Sequence, residues 1–229
     1  MSLKNLLSLS LLTSVLMLGG CATTQNLSQT KLPENIKSQL TTNEAIIGYF
    51  GKSENPEYCG CVSYIDSSYY AKPVQDGYYR VLLGRNAEGH FLVQDFYQSN
   101  KKPQSSPVWV VDPLKLFSFE GSDVEGPVTL YREDGTVASK FVNKDGEALE
   151  GQDYYPNGQL GSSYKLAENG HANIELWYAS GKKAAEYVLD EDSELVKSKA
   201  WKEDGTETDD IDDVSEKVYA LLDHGFQED

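Results

Sequence analysis

The chain is poor in the residues that most often carry chemistry. Its 229 residues include only three cysteines and three histidines. Two of the cysteines, Cys59 and Cys61, stand together in "EYCGCVSY" with no histidine or third cysteine close by. That leaves little basis for a zinc site, which needs four suitably spaced ligands. No G-x-S-x-G elbow and no glycine-rich phosphate loop occur. The acidic run "EDGTETDDIDD", Glu203 to Asp213, lacks the spacing of an EF-hand loop. Positive charge is scarce, with 20 Lys/Arg against 36 Asp/Glu and a net of −16. Such a field repels nucleic-acid phosphate and attracts basic partners or cations. Long apolar runs are absent after the first, Leu6 to Leu18. These absences point away from an enzyme, a cofactor, a metal site and a nucleic-acid partner.

Present in their place are tyrosine and an uneven distribution of charge. There are 15 tyrosines against 7 phenylalanines and 3 tryptophans. Amphipathic rings suit half-buried sheet positions. Residues 21–125 hold 9 Lys/Arg and 12 Asp/Glu, whereas residues 126–229 hold 10 and 24, a net of −14. Charged residues at 24% and aromatics at 11% describe a globular chain.

The opening "MSLKNLLSLSLLTSVLMLGGC" has one charge, Lys4, then the apolar run, then two glycines. This is the n-region, h-region and small-residue cleavage site of a signal peptide over residues 1–20. The run is too short to span a bilayer comfortably. Leu18-Gly19-Gly20-Cys21 resembles a bacterial lipobox. The resemblance implies diacylglycerol on the Cys21 thiol, cleavage before Cys21 and acylation of the new amine. Several acyl chains exceed what stable anchoring needs. Ala22, rather than Asp, follows the cysteine; by the same resemblance this favours the outer membrane of a Gram-negative cell envelope, with the protein facing either the periplasm or the outside. Residues 21–43 are rich in Thr, Ser, Gln and Asn and read as a flexible tether, with room for a short helix after Pro33. In an oxidising compartment, Cys59 and Cys61 can form a local disulfide across Gly60 or stand as free small residues in a strand.

A period of about 23 residues governs the second half. "LYREDGTVASKF" carries Tyr131 and Gly135, and "DYYPNGQLGSSY" carries Tyr154 and Gly158. "LWYASGKKAAEY" carries Trp177 and Gly181, and "AWKEDGTE" carries Trp201 and Gly205. Each aromatic precedes its glycine by four. Six residues beyond the first three glycines stand Phe141, Tyr164 and Tyr187. A second turn signal falls midway, at Asp145-Gly146, Asn169-Gly170 and Asp192-Ser193. Asp-Gly and Asn-Gly predict two-residue type I′ turns, with positive φ at both positions. The pattern predicts stacked β-hairpins that share one elongated core. Alternation places Val137, Ser139 and Phe141 on one face, and likewise Leu160, Ser162 and Tyr164. Lys183 then stands where an apolar residue is expected.

This pattern resembles the bacterial variant of the MORN repeat, with "YYPNGQL", Tyr154 to Leu160, the best match and residues 126–207 the clear extent. The resemblance implies an elongated, twisted antiparallel sheet used for binding and scaffolding, without catalytic residues. Some members of that family carry an antitoxin label. The expected fold is therefore all-β, a sheet of hairpin repeats with a short C-terminal helix. Residues 44–125 read as a β-rich region with degenerate repeats that caps the sheet or forms a companion domain. Residues 208–229 read as an acidic segment and a helix with Val214, Val218, Leu221 and Leu222 on one stripe, stopped at His224-Gly225. Tyr155 and Tyr178 are the rings expected to meet a partner. The functional expectation is a membrane-anchored lipoprotein that binds a protein or envelope component. The alternative is a periplasmic immunity or antitoxin-like protein that neutralises a basic toxin.

Overall fold

A computed structural model describes residues 30–40, 44–51, 69–118 and 123–223. Cys21, Cys59, Cys61 and the helix stop at His224-Gly225 lie outside the described residues. The fold is mostly β, with two antiparallel sheets and one substantial helix.

The first sheet has five strands, β1 (Ala45–Phe50), β2 (Tyr69–Tyr70), β3 (Tyr78–Arg85), β4 (Phe91–Tyr97) and β5 (Val108–Val110), in the order β2-β1-β3-β4-β5. Its centre holds a buried ion pair. Arg80 donates from Nε and Nη2 to the two Asp95 oxygens, each at 2.8 Å. Its Nη1 donates to the carbonyls of Leu116 at 3.1 Å and Ser118 at 2.7 Å. The guanidinium also lies over the Phe50 ring. This network ties the short 3-10 helix Pro113–Phe117 to the sheet. Residues 30–40 do not behave as a free tether. The short helix α1 (Glu34–Lys37) brings Ile36, with Leu32 and Leu40, against Val81, Leu83, Leu92 and Phe96. Apolar surface removed from water outweighs the freedom of a polar linker here.

The second sheet is an eight-stranded meander. It runs β6 (Gly126–Tyr131), β7 (Val137–Lys144), β8 (Glu147–Tyr154), β9 (Leu160–Leu166), β10 (Ala172–Trp177), β11 (Lys183–Leu189), β12 (Leu195–Trp201) and β13 (Glu207–Thr208). Each strand pairs with its sequence neighbour, as a string of hairpins requires. The β6 edge is covered. The Tyr131 amide donates to the Gln104 carbonyl, and the Ser106 amide donates to the Thr129 carbonyl. Val93, Val108, Val110 and Val124 share a core with Val128 and Leu130 across this junction. An uncovered edge would offer unpaired backbone groups to another chain.

The turns differ from the expected type. Among the described residues, only Asp145-Gly146 has two consecutive positive φ values, 54° and 82°. At Gly135, Gly158, Gly170, Gly181 and Gly205 the loop has three residues. In the first, the Gly135 amide donates to the Arg132 carbonyl and the Arg132 amide to the Thr136 carbonyl, each at 2.8 Å. This is a type I turn closed by a residue in the left-handed region. The preceding Asp or Asn accepts hydrogen bonds through its side chain. Asp134 Oδ1 takes the Thr136 amide, and Asn157 Oδ1 takes the Gln159 amide.

The helix α2 (Ile211–Asp223) closes the inner face of the sheet. Asp210 Oδ1 caps it by accepting the Asp213 amide at 3.2 Å. Val214, Val218 and Leu222 are buried against Tyr155, Ile174, Leu176 and Tyr178. Leu221 is 52% exposed, because it falls just outside the stripe that those i, i+4 positions define.

Candidate functional site

A β-bulge three residues past Gly135, Gly158 and Gly181 decides which way the side chains of these three repeats point. Leu130 pairs with Ser139, but Tyr131 pairs with Val137, leaving Ala138 extra. Gly161 is skipped in the same way between Asp153↔Ser162 and Tyr154↔Leu160. Ala184 is skipped between Leu176↔Ala185 and Trp177↔Lys183. Two consecutive residues then face the core in each repeat, Ala138 and Ser139, Gly161 and Ser162, Ala184 and Ala185, and all six are buried. Small side chains are what such a doubled position can hold. The expected alternation is therefore corrected. Val137 and Leu160 sit across the bulge from Ser139 and Ser162, on the opposite face. Lys183 occupies that same outward position and so needs no apolar replacement.

The bulge also reverses the roles expected of the adjacent aromatics. Tyr155 and Tyr178 are buried, at 2% and 8% exposure, and cannot meet a partner as surface rings. Each reaches into the next repeat. Tyr155 Oη donates to the Trp177 carbonyl at 2.8 Å, and Tyr178 Oη donates to the Trp201 carbonyl at 2.8 Å. Arg132 fills the equivalent position of the first repeat and donates to the Tyr154 carbonyl. Tyr97 of the first sheet does the same for the Tyr131 carbonyl at 2.7 Å. Burial is the main reason the Tyr155 hydroxyl is pushed up to about 12, with the Tyr178 hydroxyl and Glu203 adding to it. The Tyr97 hydroxyl is raised in the same direction, mainly by burial.

The rings four before each glycine, Tyr131, Tyr154, Trp177 and Trp201, are partly exposed on the outer face. Tyr154 Oη donates to Gln152 Oε1 at 2.8 Å on that face. Lys140 Nζ lies 5.6 Å from the Tyr154 ring centre, and Lys183 Nζ lies 4.7 Å from that of Trp177. Lys183 is held there by Glu175. The strand register runs a polar row across the sheet, Thr129, Lys140, Gln152, Ser163, Glu175, Glu186 and Lys199. A shallow depression of about 550 Å³ lies over β6 to β10, with Lys140, Gln152, Ser163, Lys165, Asn173 and Glu175 along it. The turn glycines Gly135, Gly158, Gly181 and Gly205 stand at one rim, each with positive φ.

Charge is divided by position. The outer face carries Lys140, Lys144, Lys165, Lys183, Lys197 and Lys199 against Glu147, Glu150, Glu175, Glu186 and Glu207, and so is nearly balanced. The acidic excess sits in the turns, as at Glu133, Asp134, Asp190, Glu191, Asp192, Glu203 and Asp204, and at the start of α2. Among the described residues no group of three or more His, Cys, Asp or Glu is placed to hold a metal ion, and no helix is long and apolar enough to cross a membrane. No family model matches the chain, and no curated protein matches it.

Proposed function

We propose that this chain is a non-enzymatic lipoprotein of the Gram-negative cell envelope. Cys21 carries the lipid anchor at the outer membrane, and the outer face of the repeat sheet binds a protein or envelope partner. One observation carries the binding half of this reading. The outer face holds a row of partly exposed rings beside exposed charged and amide side chains, mounted on rigid paired strands. Preorganised side chains of this kind bind at low entropic cost. The anchoring half rests on the lipobox resemblance at Cys21.

Two experiments separate the halves. Cys21→Ser should release the full-length chain from the membrane fraction; retention there would sink the anchor. A photo-crosslinking residue at Gln152 or Lys165 should trap an envelope component in intact cells. No adduct at either position would overturn the binding face.

The acidic rim of turns and the start of α2 favour one second reading, neutralisation of a basic toxin in the periplasm. Deleting the gene should then leave cells sensitive to sibling cells that secrete the toxin. Undiminished resistance would remove this reading.

A further inference from the structure

Building on the outer-face reading, we infer that the ring row Tyr131, Tyr154, Trp177 and Trp201 is a site for an extended, uncharged β-1,4-linked glycan lying across the strands. Three features of the face converge on that ligand. The rings stand on β6, β8, β10 and β12, one on every second strand. At about 4.8 Å per strand they recur roughly every 10 Å along a line of about 29 Å. A β-1,4-linked pyranose advances by about one strand spacing, so every second sugar meets a ring. The equatorial linkage leaves the sugar faces as flat C–H surfaces, which pack on aromatic rings.

The polar groups fit the same ligand. Gln152, Ser163 and Asn173 offer neutral donors and acceptors to hydroxyls from the same face of the sheet, Gln152 two residues from Tyr154 on β8 and Asn173 four from Trp177 on β10. The Lys183 ammonium, held over the Trp177 ring by Glu175, swings off that face when a sugar stacks there and then serves as a charged donor at its edge.

Charge decides between a glycan and a charged polymer. The face pairs six lysines with five glutamates, so neither a polyanion nor a polycation gains from it. The remaining surface, in a chain of net −16, repels polyanions at long range. An uncharged, repeating, hydroxyl-rich chain is the occupant that matches both the balance and the spacing.

The test uses the full-length protein in a sugar-free detergent, titrated with cello- and chito-oligosaccharides from dimer to hexamer. Calorimetry and tryptophan emission report binding. The expected result is saturable binding that tightens with length, with Trp177→Ala and Tyr154→Ala each weakening the hexamer about tenfold, the loss of one well-packed ring contact. Trp177→Phe, which keeps a ring, should retain most of the affinity, and circular dichroism should show every variant folded. The inference fails if neither hexamer binds at millimolar concentration, or if both alanine variants bind like the parent. It also fails if polylysine or polyglutamate occupies the face instead. A surviving protein adduct at Gln152, with no oligosaccharide binding, would discard the glycan and keep the binding face.

Discussion

Tyr155 shows how much one hydroxyl contributes in a repeat sheet. Tyr155 Oη donates to the Trp177 carbonyl of the next repeat. Tyr155→Phe removes that donor and should cost about 1–2 kcal/mol, the range for stranding a buried carbonyl; urea unfolding measures it. The same hydroxyl makes stability depend on alkaline pH. Its pKa is about 12 in the folded chain against an ordinary tyrosine value of 10.0. The protonated form is therefore favoured by folding. Its contribution is complete below pH 10 and is lost as pH rises toward 12. Tyr155→Phe should flatten the stability profile over that window. In the first sheet, Asp95→Ala would leave the Arg80 charge buried beside the Leu116 and Ser118 carbonyls. The expected loss is about 3–5 kcal/mol, as for other broken buried pairs, and thermal unfolding reads it directly.

At the level of elements, the junction between α2 and β9 depends on a residue without a side chain. A Cβ at Gly161 would stand 2.6 Å from Leu222 Cδ2 and 2.9 Å from Tyr155 Cε2. Gly161→Val should push the end of α2 from the sheet and destabilise by about 1–3 kcal/mol, the range for overpacking. Hydrogen exchange should then rise first in α2, while β6 and β7 keep their protection. Equal loss of protection throughout would mean that the helix and sheet form one cooperative unit. The bulges explain why Ala138 and Ala184 stand where Gly161 does. Each repeat has to bury two consecutive side chains there, and only small ones fit beneath a Tyr or Arg that reaches to the next repeat.

For the whole molecule, the two sheets form a covered end and an open end. The first sheet protects the β6 edge through the 104–106 segment and the shared valine core. Removing residues 44–110 should expose that edge and produce self-association, which size-exclusion chromatography reveals. At the far end, β13 has two residues and pairs with β12 only at Ala200 and Trp201. Lys197 and Lys199 are exposed on β12 beside the paired stretch, a common guard against edge-to-edge pairing. Acidic turns on both rims add mutual repulsion between copies, which helps keep such a sheet soluble.

The repeat period, the hairpin meander, the β-rich first half and the C-terminal helix were all legible in the sequence. Glycine spacing and alternating aromatics are local signals, and hairpin pairing is local too. What tertiary structure alone decided was facing. A one-residue bulge past Gly135, Gly158 and Gly181 reverses the side-chain alternation, and nothing in the hydrophobic pattern marks it except the small residues Ala138, Gly161 and Ala184. That reversal sent Tyr155 and Tyr178 into the core and placed Tyr154 and Trp177 on the outer face. The packing of residues 30–40 was hidden for a similar reason. A polar stretch with three spaced apolar residues reads as linker until a partner surface, here β3 and β4, exists to bury them. Sequence determined the number and order of hairpins because each closes on itself. Only the assembled sheet determined which rings it would spend on its core and which it would present.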